Sequence, residues 1–210
     1  MFPERLRVAV EELSCIYSLA EHSYKKIQQL LDKIDTAHLL EYRYCARNLQ
    51  EFVEGLFRGD DEDANLERIH RAIHAMKNAF NDHLDLATDY AAYMFRQLQA
   101  VEKARPLDFY VHNLDEVESA ILAVQMKIAE SRASLQQRVS IYKEILHSPE
   151  LNTLLVFAAP LNIEKIKERI ALDQLSLQRE SRRFVLTVML SCAGILLSLL
   201  GILLAYLSLS

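Results

Sequence analysis

From Phe184 to Ser210 the chain carries no charged residue, and no other feature restricts its fold as much. The run FVLTVMLSCAGILLSLLGILLAYL is long enough, as a helix rising about 1.5 Å per residue, to cross a hydrocarbon core of about 30 Å. A helix apolar on every face over that length is rare in the core of a soluble protein. Arg179, Arg182 and Arg183 crowd the amino-terminal side of the run and nothing basic follows it. The positive-inside rule then puts everything before the run in the cytoplasm and leaves only a stub beyond it. The expectation is a single-pass membrane protein, in contact with lipid, with its N terminus in the cytoplasm. The start of the chain agrees, since Glu4 and Arg5 are followed by no apolar run of the secretory type.

Within the run, steps of four and three from Thr187 reach Ser191, Gly194, Ser198, Gly201, Ala205 and Ser208. All are small or weakly polar, whereas the other faces are mostly Leu, Ile, Val, Phe and Met. Lipid gives helices no hydrophobic reason to associate, so close approach needs small side chains, with Ser and Thr adding hydrogen bonds across the contact. A seam repeating every 3.5 residues or so predicts parallel, left-handed self-association. In a dimer or trimer the seam is a dry interface. In a tetramer or larger ring the same stripe lines a narrow pore. Extended backwards, the heptad passes through Phe184, Glu180, Leu177, Asp173, Ile170, Ile166 and Ile163. Facing a central axis, Asp173 and Glu180 would form acidic rings at a cation-selective mouth with Phe184 as a hydrophobic gate. The alternative is that both acids are solvated or paired with neighbouring bases.

Upstream, only four glycines and four prolines punctuate a sequence rich in helix formers. Pro3 suits a first helical turn, and Leu6, Val10, Leu13, Tyr17, Ala20, Tyr24, Ile27, Leu31 and Ile34 follow at four-three spacing. A break is expected near Asp35 and Thr36, after which Leu39, Tyr42, Ala46, Leu49, Val53 and Leu56 make a second seam. Residues 55–65 read as an exposed acidic loop. A third helix is expected from Asn65 to Pro106, with a stripe from Leu66 through Phe80 and Leu84 to Val101. Asn113 and Glu116 resemble a capping box opening a fourth helix whose seam runs from Val117 through Leu135 to Ile145. Ser148 and Pro149 stop it, residues 150–159 suit a buried elbow or a membrane-surface segment, and Asn162 caps a final long helix. The fold class expected is all-α, an antiparallel bundle of long helices with a continuous C-terminal stalk and transmembrane helix. Its parts are a cytoplasmic bundle over 1–160, a stalk over 161–183 and a spanning helix over 184–208.

A net charge of −5 argues against coating nucleic acid through bulk electrostatics, so any polyanion site must be focal. The clearest focal patch is Arg68, His70, Arg71, His74 and Lys77, with no acid between Glu67 and Asp82. Such groups suit the phosphates of a nucleotide or oligonucleotide, and the alternative is a solvated face touching acids on a neighbour. Cys15, Cys45 and Cys192 have neither disulfide nor zinc spacing. Glu67 with His70, and Glu144 with His147, imitate the paired motif of di-metal carboxylate bundles, although the first two helices offer no matching inward acids. No cofactor, metal or catalytic residue is expected.

One helix passing from a cytoplasmic stalk into a pore resembles CorA-type magnesium channels, although their second spanning helix and Gly-Met-Asn signature are absent. A helical sensor followed by the terminal run at 184–207 also resembles membrane effectors of bacterial anti-phage defence, including the channel subunit of Hailong-type systems. That resemblance implies a bacterial inner-membrane channel held shut by a nucleotide-derived ligand from a partner enzyme and opened on infection. It would put the ligand at Arg68 to Lys77. The expected function is therefore a homo-oligomeric, preferably tetrameric, gated pore. Its rivals are a tail-anchored scaffold that only dimerises and a di-metal enzyme.

Overall fold

The computed structural model describes the backbone of residues 3–31, 39–101 and 103–209, and the side chains of these except 29, 31, 39 and 195–209. These residues are all-helical: α1 (Glu4–Leu31), α2 (Leu39–Arg58), α3 (Glu62–Ala100), α4 (Leu107–Tyr110), α5 (Leu114–Ala133), α6 (Arg138–His147), α7 (Pro149–Ala158) and α8 (Pro160–Leu209). The break expected at Asp35 and Thr36 lies outside the described residues.

The organising element is α3, 39 residues long and buried on more than one face, because it collects neighbours along its whole length. α1 and α2 lie against its first part, and α5, α6 and α7 against its second. The expected stripe is buried from Ile69 to Leu98, while at its ends Leu66 is half-buried and Val101, past the end of α3, is 41% exposed; Ala72, Ala75, Ala79, Ala92 and Phe95 are buried beside it, the alanines letting neighbouring backbones come close.

On α1 the buried set is Leu6, Ala9, Leu13, Ile16, Ala20, Ser23, Ile27 and Leu30. This is a heptad pattern turned by one position at alternate steps from the expected one, and Val10 and Tyr17 stand outside it, 40% and 45% exposed. Both registers have the right period; the one with small Ala9 and Ser23 fits against α3. On α2 the same correction replaces Ala46, Val53 and Leu56 by Cys45 and Phe52.

The expected acidic loop is instead a tight turn. α2 continues to Arg58, Gly59 takes a left-handed conformation at φ 77°, and Asp61 accepts from Ala64 N at 2.7 Å to cap α3. Further on, the single helix expected from Asn113 is two, α5 and α6, and Leu135 lies in the break between them, 77% exposed. Asn113 precedes α5 without a side-chain capping bond, so the capping box does not form. Ser148 does cap α7, accepting from Leu151 N at 3.1 Å, and α7 is a buried elbow holding Leu151, Leu154, Leu155 and Phe157. Asn162 closes α7 rather than opening α8, since its amide donates to the carbonyls of Val156 at 3.1 Å and Phe157 at 3.3 Å.

α8 is a continuous helix of 50 residues. Ile163, Ile166 and Ile170 bury its first turns against the bundle, and from Leu175 to Gly194 every residue is exposed. Among the described residues no helix is long and apolar enough to cross a membrane, and the described side chains of the uncharged run stop at Gly194.

Candidate functional site

The residues singled out from the sequence fall in three places. The cationic set on α3 does not converge. Arg68 turns to the α2–α3 turn, where Nη2 meets Asp60 Oδ2 at 2.7 Å and Nη1 donates to Asn65 Oδ1 at 2.9 Å. The guanidinium and the Asn65 amide fill the space over Gly55, where a Cβ would overlap Arg68 and stand 2.6 Å from Asn65 Oδ1, so a side chain there would have to displace them. The hydrogen bond from Arg68 holds the Asp60 carboxyl below its ordinary pKa. Lys77 reaches the other way, to Glu12 Oε1 on α1 at 2.8 Å, and His74 Nδ1 lies 3.3 Å from the Asn78 amide. His70 and Arg71 stand exposed. Two of the five candidates thus tie α3 to its neighbours, as the alternative reading of that face has it.

The second place is where α8 leaves the bundle. Asp173 accepts a hydrogen bond from the Tyr110 hydroxyl at 3.0 Å and faces Arg105 Nε at 3.6 Å, while the Arg105 guanidinium lies 4.2 Å from the centre of the Phe109 ring. Burial first, then this carboxylate, pushes the Tyr110 hydroxyl pKa up. Glu180 and Phe184 are exposed beyond this clasp, Phe184 by 71%. Thr187 and Ser191 donate to carbonyls of their own helix, Arg183 O and Thr187 O, each at 2.9 Å. The space where a side chain would stand at Gly194 is open. Ser198, Gly201, Ala205 and Ser208 lie outside the described side chains.

The third place is one that the sequence pattern assigns to the core. α1 and α2 both lie against α3 but barely approach each other. The groove left between them, about 350 Å³, is lined by Tyr17, Glu21, Tyr24, Lys25, Gln28 and Tyr42. His83 of α3 lies fully buried below, its Nδ1 at 2.8 Å from Ser23 Oγ and its ring stacked on Tyr42 with centres 5.9 Å apart. Burial raises the Tyr42 hydroxyl pKa, helped by Tyr17, Glu21 and Tyr24, so the phenol is neutral. The usable sequence signal is the pair Tyr17 and Tyr24, seven apart beside an alternative register of smaller residues.

The imitated di-metal motifs do not meet. Glu67, His70, Glu144 and His147 are all exposed rather than inward, and among the described residues no group of three or more His, Cys, Asp or Glu could hold a metal ion. A polar knot missed from the sequence, buried at Tyr142 and exposed at Arg132, joins Asp85 to the Tyr142 hydroxyl and, at 3.1 Å, to Arg132, fastening α3 to α5 and α6. Compared with known proteins, the chain matches no family model, no curated protein and no solved structure.

Proposed function

We propose that this chain is a membrane-anchored homo-oligomer in which parallel copies of the distal part of α8 build a gated ion-conducting pore, controlled by the helical bundle before it. The observation that carries the reading is a stretch of helix whose large apolar side chains are exposed on every side. Phe184 is 71%, Leu186 59%, Met189 67% and Leu190 66% exposed, and the sequence continues without charge to Ser210. Contiguous apolar surface of this kind needs lipid or another copy of itself to cover it. The arginines at 179, 182 and 183 fit the cytoplasmic edge of a bilayer, and the stripe from Thr187 to Ser208 fits the line along which copies meet. A tetramer is the smallest ring of single helices expected to enclose an aqueous path.

The clasp of Asp173, Tyr110 and Arg105 is the place for control, because it joins the bundle to the last packed turn of the helix that leaves it. It also bears on Asp173 as a mouth residue. The carboxylate is engaged within its own chain, which leaves Glu180 as the acid facing away from the bundle. For the ligand, exposed His70 and Arg71 are what remains of the phosphate-binding candidate, the place to look for a nucleotide-derived regulator made by a partner enzyme, which the resemblance to anti-phage effectors implies. A second reading, a tail-anchored scaffold that only dimerises, is favoured by Thr187 and Ser191, whose hydroxyls are satisfied within their own helix and so suit a dry interface.

The test is reconstitution of the full chain in liposomes. Wild type should pass ions, and Ser198→Leu and Gly201→Leu should abolish the flux while the oligomer persists. Absence of flux under every trigger, or equal flux from the leucine variants, rejects the pore. A mass measurement giving two subunits assigns the scaffold.

A further inference from the structure

The groove between α1 and α2 has a chemistry of its own that does not depend on the pore. Three tyrosine rings line it, and Tyr42 meets the other two edge to face, at 86° to Tyr17 with centres 6.4 Å apart and at 73° to Tyr24 with centres 6.5 Å apart. Two parallel faces would grip a flat ring, as nucleobase sites do. Perpendicular faces enclose a rounded group instead. The faces of aromatic rings are negative, so the rounded group they favour is a cation, and quaternary ammonium compounds are held this way in aromatic cages.

Charge narrows the choice further. Glu21 lies on α1 between Tyr17 and Tyr24, and pairs with Lys25 at 2.7 Å, the lysine side chain being part of the same lining. The lining therefore carries one acid and one base, which suits a molecule bearing both charges rather than a simple cation. Gln28 adds an amide beside Lys25 on the next turn. The third wall is placed in advance. Ser23 donates to Ala20 O at 2.8 Å and meets His83, which is fully buried and stacks on Tyr42 at 25°. A ring held in this way loses little freedom on binding. The volume, about 350 Å³, is at the small end of ligand pockets, which run from about 300 to about 1,000 Å³.

We propose that this groove binds a small zwitterion with a trimethylammonium group, the cation enclosed by Tyr17, Tyr24 and Tyr42 and the anion met by Lys25 and Gln28. A free solute such as a betaine and the phosphocholine headgroup of a lipid share this chemistry.

The experiment is calorimetry on the full chain in a maltoside detergent, with glycine betaine, phosphocholine, dihexanoyl-phosphatidylcholine, tetramethylammonium and the neutral isostere 3,3-dimethylbutan-1-ol. At least one zwitterion should bind saturably, and the neutral isostere should bind about tenfold or more weakly. Tighter binding of the short lipid than of free phosphocholine assigns a headgroup, and the reverse order assigns a solute. Tyr17→Leu should weaken the zwitterion about tenfold, and Lys25→Ala should weaken the zwitterion but spare tetramethylammonium. Equal thermal melting of Tyr17→Leu and wild type shows that the fold is kept. Saturable binding by none of the probes, equal binding of the neutral isostere, or unchanged affinity in Tyr17→Leu overturns the proposal.

Discussion

The two ends of α8 belong to one helix and meet opposite surroundings. In its first turns Ile163, Ile166 and Ile170 are 3–5% exposed and the intervening residues are mostly polar, so one face is fed to the bundle and the others to water. From Leu175 the described side chains are all exposed, and from Phe184 the helix is apolar on every face. A helix in a protein draws most of its stability from packing one face against its neighbours. The near end has that packing within the chain. The described side chains of the far end have none of it within the chain. One uninterrupted helix thus joins an end that packs on its neighbours to one whose described side chains pack on nothing in the chain.

The comparison breaks most readily in the bundle. Phe80 is fully buried against Tyr142, so Phe80→Ala should cost about 3–5 kcal/mol in chemical denaturation, whereas Met189→Ala on the far end should leave the bundle's midpoint unchanged. An equal effect from both would mean that the far end packs on the bundle. Next in size is a charge in the uncharged run. Leu190→Lys should oppose insertion by about 2.5–3.5 kcal/mol if it sits near mid-bilayer and less near an interface, read as release of protein by alkaline extraction of membranes. A variant as firmly retained as wild type would refute the anchoring role.

A smaller change sharpens the boundary itself. Asp173→Asn keeps a partner for Tyr110 but removes the charge facing Arg105. Both groups are partly exposed, so the loss should be below about 1 kcal/mol, seen as faster amide exchange confined to α4 and residues 165–175. Exchange spreading across the bundle would place the boundary elsewhere. The smallest effect is at the α2–α3 turn. Because Arg68 depresses the folded-state pKa of Asp60, the pair stabilises the fold fully above the unfolded value of about 3.9, and that contribution is lost as pH falls through the depressed folded value. Asp60→Asn should therefore lose less stability than wild type over that acid range, as measured by thermal melting against pH; parallel curves would contradict the assignment.

Helix identity is legible where periodicity and punctuation agree. Ser148 with Pro149, and the stripe of α3 from Ile69 to Leu98, can be read directly because a cap and a long apolar period are local properties. The pattern misleads where two faces of a helix are nearly equal in apolar content. Val10 and Tyr17 fit a seam of α1 by spacing, but the buried seam uses Ala9 and Ile16, one position earlier in each step. The acidic residues after Gly59 have the composition of a solvated loop, yet three of them make specific bonds, two local and one to α1. Asp61 caps α3, Asp60 pairs with Arg68, and Asp63 pairs with Arg5 at 2.9 Å. Of the candidate sites, the cationic set on α3 is a run in the sequence and divided in space, since residues close along a helix need not point the same way.

The sequence by itself determined that the chain is helical, where several helices end, and that its last uncharged run is unlike the rest, because propensity, capping and hydropathy act over a few residues. The tertiary structure decided which face of each helix is inside, that Asp173 belongs to a clasp, and that three tyrosines from two helices share one groove. Those outcomes depend on how side chains distant in the chain fit together across α3, and that fit is set by shape and burial, which no single segment contains.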